Sequence, residues 1–314
     1  MNVLRWLILL LLMGVAVSAV TGPMGPGAPL SVVLSLRLSR TALAMLAGAS
    51  LAVAGAVLQS VLRNVLATPY TLGVSAGAGV TAGAVILFGA GLSGYWAGLA
   101  RTAGALVATA LVASLAGRGK SDGSTLILAG VTVNVLGASL LLLMEYLSPA
   151  SRLMEIVRWM MGDLAAAGYS RVFFILPFSV SGILLVLTRT GTLNQMLAGE
   201  ELAETRGVNT RRERAIMLTA SAVLAGGTVG AVGPIGFVGL VVPHILRRIA
   251  GGDCRKLVPL SALGGAVLLV WSDILGRVAV SPGELPIGII TALIGGPYFL
   301  RLLARSRTGT DRTD

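Results

Sequence analysis

The side chains that could do chemistry in this chain of 314 residues are few and far apart. Within long apolar stretches stand Gln59, Asn134 and Asp273, with Arg101 and Glu145 nearer the stretch ends. Carriers driven by protons or sodium commonly place carboxylates or histidine at mid-membrane depth. Here Asp273 is the one acid well inside, and Arg277 follows it one helical turn later. That i,i+4 spacing reads first as a structural pair and second as a transport role. The single histidine, His244 in VVPHILRR, has no nucleophile and carboxylate arranged around it and reads as structural or interfacial. One cysteine, Cys254, rules out a disulfide within the chain, and one histidine rules out a His-rich metal site. The tract SLAGRGKS (114–121) imitates a phosphate-binding loop. However, Ser114 stands where the first glycine belongs, and an apolar helix rather than a strand precedes it, so a basic turn is the better reading. No catalytic, cofactor or metal site emerges, and any nucleotide hydrolysis has to come from another polypeptide. Passage of something across a membrane is what remains.

The elements that hold these residues are set by composition. Apolar residues make up 55% and charged residues 12%, with a mean hydropathy of +0.88, whereas soluble domains carry about 25% charged residues. A soluble enzyme, a nucleic-acid binder and a disordered chain are excluded as first readings, and the net charge of +11 reads as loop charge that sets topology, with no nucleic-acid partner. Apolar segments fall at 4–20, 39–62, 71–90, 97–116, 123–147, 171–188, 215–236, 237–250, 258–276 and 285–304. Most approach the roughly 20 residues that a membrane span needs, while 237–250 is too short and reads as half-buried by its neighbours. Gly/Ala-rich runs such as GASLAVAGAV (48–57) suit close helix packing in lipid. The expected fold is an all-α polytopic membrane protein: one domain over 1–314, about ten transmembrane helices in a compact bundle, both termini cytoplasmic. With that threading 17 of the 24 Lys and Arg lie inside, in line with the positive-inside rule. The first segment also resembles a secretory signal peptide, but removing it would strand the remaining topology.

The longest hydrophilic interruption, RTGTLNQMLAGEELAETRGVNTRRER (189–214), lies on the cytoplasmic side. It reads as a short helix with acids Glu200, Glu201 and Glu204 first, Gly207 as its stop and basic residues after, a charge order that suits the helix dipole. From length and charge alone, a solvated loop and a docking surface for a cytoplasmic partner stand level.

Several longer strings are more specific: LRLSRTALAMLAGASLAVAGAVLQSVLRNVLATPYTLGVSAGAG (35–78), LILAGVTVN (126–134), RWMMGDL (158–164), GPIGFVGLVVPHILRRIAG (233–251) and ELPIGIITALIGGPYFLRLL (284–303). Together the chain resembles the FecCD-type permeases, membrane subunits of ABC importers for iron siderophores, haem and cobalamin. The resemblance implies ten helices per subunit, a homodimer with the pathway on its two-fold axis, two cytoplasmic ATPase subunits and an extracytoplasmic substrate-binding protein, in the prokaryotic inner membrane. It assigns ATPase coupling to Ala198–Asn209, with Gly199, Glu200, Glu201, Glu204, Arg206 and Gly207 as its site residues. It assigns docking of the binding protein to Arg37, Arg40 and Arg277, outer-face arginines that break the positive-inside trend; snorkelling to lipid headgroups is the alternative. The family's LRLPR and RNPLA are LRLSR and RNVLA here, with Ser39 and Val65 in place of proline. Pathway candidates are Gln59, Asn134 and Asn64, the last because it opens the inner turn between the second and third spans. An ion-coupled secondary carrier is the rival class, with a membrane subunit lacking any pathway as a third; the cargo among siderophore, haem and corrinoid stays open.

Overall fold

The computed structural model describes residues 2–21, 29–89, 91–92, 94–116, 123–165, 168–280 and 283–308, so the basic tail of the 114–121 tract lies outside the described residues. Among them regular structure is helical throughout: α1 (Asn2–Val20), α2 (Leu30–Val61), α3 (Val74–Phe88), α4 (Tyr95–Leu115), α5 (Gly123–Tyr146), α6 (Ala150–Met160), α7 (Tyr169–Thr188), α8 (Thr190–Ala198), α9 (Glu200–Thr205), α10 (Thr210–Val232), α11 (Val238–Ala250), α12 (Cys254–Val278) and α13 (Ile287–Thr308). Each of the ten apolar segments carries a helix. Seven of these, α1, α2, α4, α5, α7, α10 and α12, are long and apolar enough to cross a membrane, while α3 and α13 offer shorter apolar stretches.

Three helices are finer than the hydropathy pattern resolves. The α6 helix puts Ile156 inward and leaves Arg152, Glu155 and Arg158 exposed, a 3.6-residue alternation too short to register as a span. The 189–214 stretch, expected as one helix, holds two, α8 and α9, because the backbone breaks at Gly199 (φ 143°, ψ 139°). Glycine reaches that region without steric cost.

The α2 helix is the core of the bundle, buried along most of its length against α7, α10, α11 and α12. Close approach explains its composition. A Cβ on Gly48 would lie 2.2 Å from the Gly265 carbonyl oxygen on α12, and one on Gly265 would lie 2.1 Å from that of Gly48. The two backbones touch, which only hydrogens at both positions allow. A second crossing puts Gly55 against Gly239 at the start of α11. The first segment is bound into the same core: Trp271 Nε1 of α12 donates to the Leu10 carbonyl (3.1 Å), and Ser18 Oγ shares a hydrogen bond with Thr41 Oγ1 (2.6 Å).

Because backbone oxygen cannot move aside as a flexible side chain would, Gly265→Val should destabilise the detergent-solubilised protein by about 3 kcal/mol or more, or prevent folding. Gly252→Ala, where an added Cβ meets nothing within 4 Å, should leave the thermal midpoint unchanged. Paired melting curves of the two variants check this.

Candidate functional site

An open groove of about 780 Å³ runs between α3, α5 and α13. Its wall is formed by Ser75, Ala76 and Gly79 of α3, by Asn134, Ala138, Leu141 and Glu145 of α5, and by Gly288, Ile289 and Ala292 of α13. Tyr70, Met160, Met161 and Phe237 add to it, with Gly137, Leu142, Pro234 and Gly236. Small and apolar groups dominate, with Asn134, Ser75 and Tyr70 as neutral polar contributors and Glu145 as the ionisable one among the lining residues. Such a wall offers a solute area without strong anchoring points.

The back of the groove is the irregular stretch 233–237 between α10 and α11. Non-helical backbone inside a membrane protein has to be satisfied by protein or face a cavity, and both conditions hold. Tyr70 Oη donates to the Ile235 carbonyl (2.6 Å) and accepts from the Ile235 N–H (2.8 Å), and the Asp163 N–H donates to the Val232 carbonyl (2.7 Å). Phe237, at φ 66°, caps α11 in the left-handed region. That conformation is uncommon for a bulky residue and points to a functional constraint. A Cβ on Gly295 of α13 would sit 2.4 Å from Phe237 Cβ, so the glycine makes room for the ring.

The pathway candidates separate here. Asn134 lines the groove, and its Nδ2 donates to the Tyr70 carbonyl (2.8 Å). Asn64 lies at the inner end, where its Oδ1 accepts from the Leu66 N–H (2.9 Å). Gln59 is 3% exposed and is not among the residues lining the groove; its Nε2 donates to the carbonyls of Gly239 (3.3 Å) and Leu240 (3.2 Å). The physical reason is Pro243. A proline inside a helix cannot donate to the carbonyl four residues back, which is that of Gly239, and Gln59 supplies the missing hydrogen.

At the outer end, Asp273 gathers the arginines. Arg277 Nη2 lies 2.5 Å from Asp273 Oδ2, the i,i+4 pair expected from spacing, and Arg40 Nε lies 2.8 Å from Oδ1. Arg40 Nη1 also reaches Glu284 Oε2 (2.7 Å), Arg277 Nη2 donates to Ser18 Oγ (2.6 Å), and Arg37 Nη1 donates to the Ala19 carbonyl (2.8 Å). This corrects the picture of three outward forks: Arg37 is 6% and Arg277 7% exposed, both turned into the junction of α1, α2 and α12. Buried guanidinium groups need partners within the protein, and Asp273 and the α1 carbonyls provide them. The more accessible member of the cluster is Glu284, at 28%, which the spacing of residues did not single out.

At the inner end, α9 is held to α10 by Arg214, which is paired with Glu200, and by Thr210 Oγ1, which donates to Glu204 Oε1 (2.6 Å). Gly207 (φ 82°) ends the helix as expected. The Val208 N–H reaches the Ala203 carbonyl (3.0 Å) and the Gly207 N–H that of Glu204 (2.9 Å), the paired bonds of a left-handed C-cap. Glu201, Leu202 and Arg206 remain exposed. Behind them Arg63 Nη2 donates to the Met196 carbonyl (2.7 Å), and Asn194 bonds to Asp253. Hydrogen bonds from the Arg255 N–H and the Asn194 amide hold the Asp253 carboxyl below the usual carboxylate range. Asn194 carried no signal in the sequence because its partners lie 59 and 60 residues away.

A helical membrane bundle enclosing a weakly polar groove, with an exposed charged elbow at one end, is the architecture of a transport permease. A family model described as the FecCD transport family matches residues 3–305, and the chain belongs to that family. It is 41% identical over 296 residues to YvrB of Bacillus subtilis, an uncharacterized ABC transporter permease protein (92% of this chain, 83% of the relative). Identity to the hemin transport system permease protein HmuU of Yersinia pestis is 37% over 278 residues (87% and 83%). Identity to the vitamin B12 import system permease protein BtuC of Vibrio cholerae is 39% over 275 residues (87% and 83%). A structure described as an inward-facing conformation of a metal-chelate type ABC transporter superposes with TM-score 0.89 at 30% identity, covering 97% of this chain and 99% of that one. The chain is therefore a multi-pass membrane permease of the ABC transporter class, a translocation component.

Two stability predictions follow from the buried pairs. Gln59→Leu should cost about 1–3 kcal/mol while Pro243 is present, and clearly less in a Pro243→Ala background, where the N–H restored at position 243 can reach the Gly239 carbonyl; thermal melts of the four-member cycle read this coupling. Asp273→Ala, which leaves the buried Arg277 without a carboxylate partner and Arg40 with Glu284 alone, should cost about 3–5 kcal/mol, with partial recovery on adding Arg277→Met.

Proposed function

We propose that the chain is the permease of a binding-protein-dependent importer that moves an iron siderophore, haem or cobalamin-type molecule inward, driven by ATP hydrolysis on two separate cytoplasmic subunits. The groove carries this reading. Two copies set with their grooves facing would enclose a conduit whose wall is small and apolar, with few polar groups to retain a large chelate. Exposed apolar residues such as Leu142 of α5, which lines the groove, and Leu293 of α13 suit burial against a second copy. Affinity then resides in the binding protein and the permease passes its cargo on. The names of the haem and vitamin B12 relatives and of the metal-chelate structure support the cargo class.

Residues 198–209 serve as the coupling element. Gly199 and Gly207 bound α9, Glu200 and Glu204 hold it to α10, and Glu201 and Arg206, exposed beside Leu202, meet the ATPase. On the outer face, the Arg37, Arg40 and Arg277 cluster shapes the ground on which the binding protein docks, with Arg40 and Glu284 at its accessible edge. Asn134 touches the passing solute, and Asn64 holds the inner turn near the exit. An ion-coupled carrier fits less well, since the buried acid Asp273 is consumed by two arginines.

In liposomes holding the chain with its ATPase and binding protein, Ala138→Trp should abolish ATP-driven uptake by filling the groove while basal hydrolysis persists. Glu201→Lys with Arg206→Glu should instead release the ATPase from an intact bundle. Uptake that continues without any ATPase subunit would overturn the importer reading in favour of a carrier.

A further inference from the structure

The short helix α8 leads directly into α9, and its attachment to the rest of the bundle is specific. On its apolar side Leu193 is buried in one cluster with Cys254 and Val258 of α12, Val186 of α7 and Met217 of α10, and Met196 is buried as well. On its polar side stands Asn194, which uses both ends of its amide on one target. Nδ2 donates to Asp253 Oδ1 (2.6 Å), and Oδ1 accepts from the Cys254 N–H (2.8 Å). The same Asp253 Oδ1 accepts from the Arg255 N–H (2.9 Å). The first N–H groups of a helix have no partner within it. At α12 that requirement is met partly by its own cap, Asp253, and partly by a side chain from α8. A single hydrogen bond would let α8 pivot; two, at the two ends of one planar amide, fix its orientation as well as its distance.

What lies beyond this contact makes it consequential. The α12 helix is 25 residues long, about 37 Å at 1.5 Å per residue. It is pressed against α2 at the Gly48–Gly265 crossing, and at its far end it carries Asp273 and Arg277, bound to Arg40 and Ser18. We propose that Asn194 is a positioning residue that fastens the coupling segment to the N-terminus of α12, so that displacement of α9 by the ATPase is delivered along α12 to the outer end of the bundle. This rests on the reading of 198–209 as the coupling element.

The chemistry of the pair dictates the test. Asn194→Asp removes the donor and sets two carboxylates against each other. Asp253→Asn keeps an acceptor for both N–H groups. In the double variant Asn194→Asp/Asp253→Asn the roles exchange: the new carboxylate accepts from the Cys254 N–H and from the amide at 253, whose oxygen still accepts from the Arg255 N–H. The probe is ATP with orthovanadate, added to the chain assembled with its ATPase in nanodiscs, and the readout is the emission of a bimane label on a Leu275→Cys side chain, exposed on the outer part of α12. Vanadate trapping should shift the emission in the otherwise unmutated complex and in Asp253→Asn. It should not in Asn194→Asp, although nucleotide is still trapped, and the shift should return in the double variant. A purely structural role would lower the melting point and ATPase retention of Asn194→Asp and leave any trapped fraction shifting normally, which overturns the proposal. So does a double variant that melts like the parent without recovering the shift. If the unmutated chain fails to retain its ATPase, the coupling reading itself falls and takes the proposal with it; if it retains the ATPase and Asn194→Asp shifts as the parent does, the proposal falls alone.

Discussion

Hydrocarbon offers no hydrogen-bond partner, so every polar group this bundle buries must be answered from within it. The constraint reaches from single atoms to the architecture. Where Pro243 leaves the Gly239 carbonyl without its helical donor, Gln59 crosses from α2 to supply one. Where the chain abandons helix at 233–237, Tyr70 bonds to both sides of one residue's backbone. The first of these repairs goes with backbones in near contact, where Gly55 of α2 faces Gly239 of α11. The irregular stretch then lies at the back of an open groove, the place where non-helical backbone in a membrane protein can do something other than be tolerated.

The same rule governs charge. Asp273 and two guanidinium groups are removed from solvent together, and their mutual bonds tie the outer ends of α1, α2 and α12 into one junction. At the opposite end a lighter set of contacts, Arg63 to Met196 and Asn194 to Asp253 and Cys254, joins α8 to the end of α2 and to α12. A tightly bound junction at one end and a more exposed elbow at the other are linked by long helices. The groove itself is spared strong interactions, its lining being mostly small and apolar.

Much of this was legible in the sequence. Low charge, ten apolar segments and the strings at 35–78 and 233–251 identify the class, and the spacing of Asp273 and Arg277 announces their pair. A glycine following the acidic turn and preceding the basic residues also marks Gly207 as the stop after α9. What escaped depends on contacts between distant residues. Gln59 stands out in the sequence as a polar side chain within an apolar segment, but its bond to a carbonyl orphaned by a proline 184 positions away has no local signature. Arg37 and Arg277 looked outward-facing because charge counting cannot reveal that α1 lies alongside to accept their hydrogens. Glu284, Phe237 and Asn194 carry no local pattern at all; position in space gives them their roles.

The central claim is that the groove between α3, α5 and α13 faces its counterpart in a second copy and forms the conduit. It can be tested by placing a thiol there through Ala138→Cys, in a chain whose one native cysteine, Cys254, is buried. A short bifunctional thiol reagent applied to the assembled transporter should join two copies, stop ATP-driven uptake while hydrolysis continues, and release uptake again when a cleavable linker is reduced. Copies that stay unlinked, or linked copies that transport at the parental rate, would contradict the account.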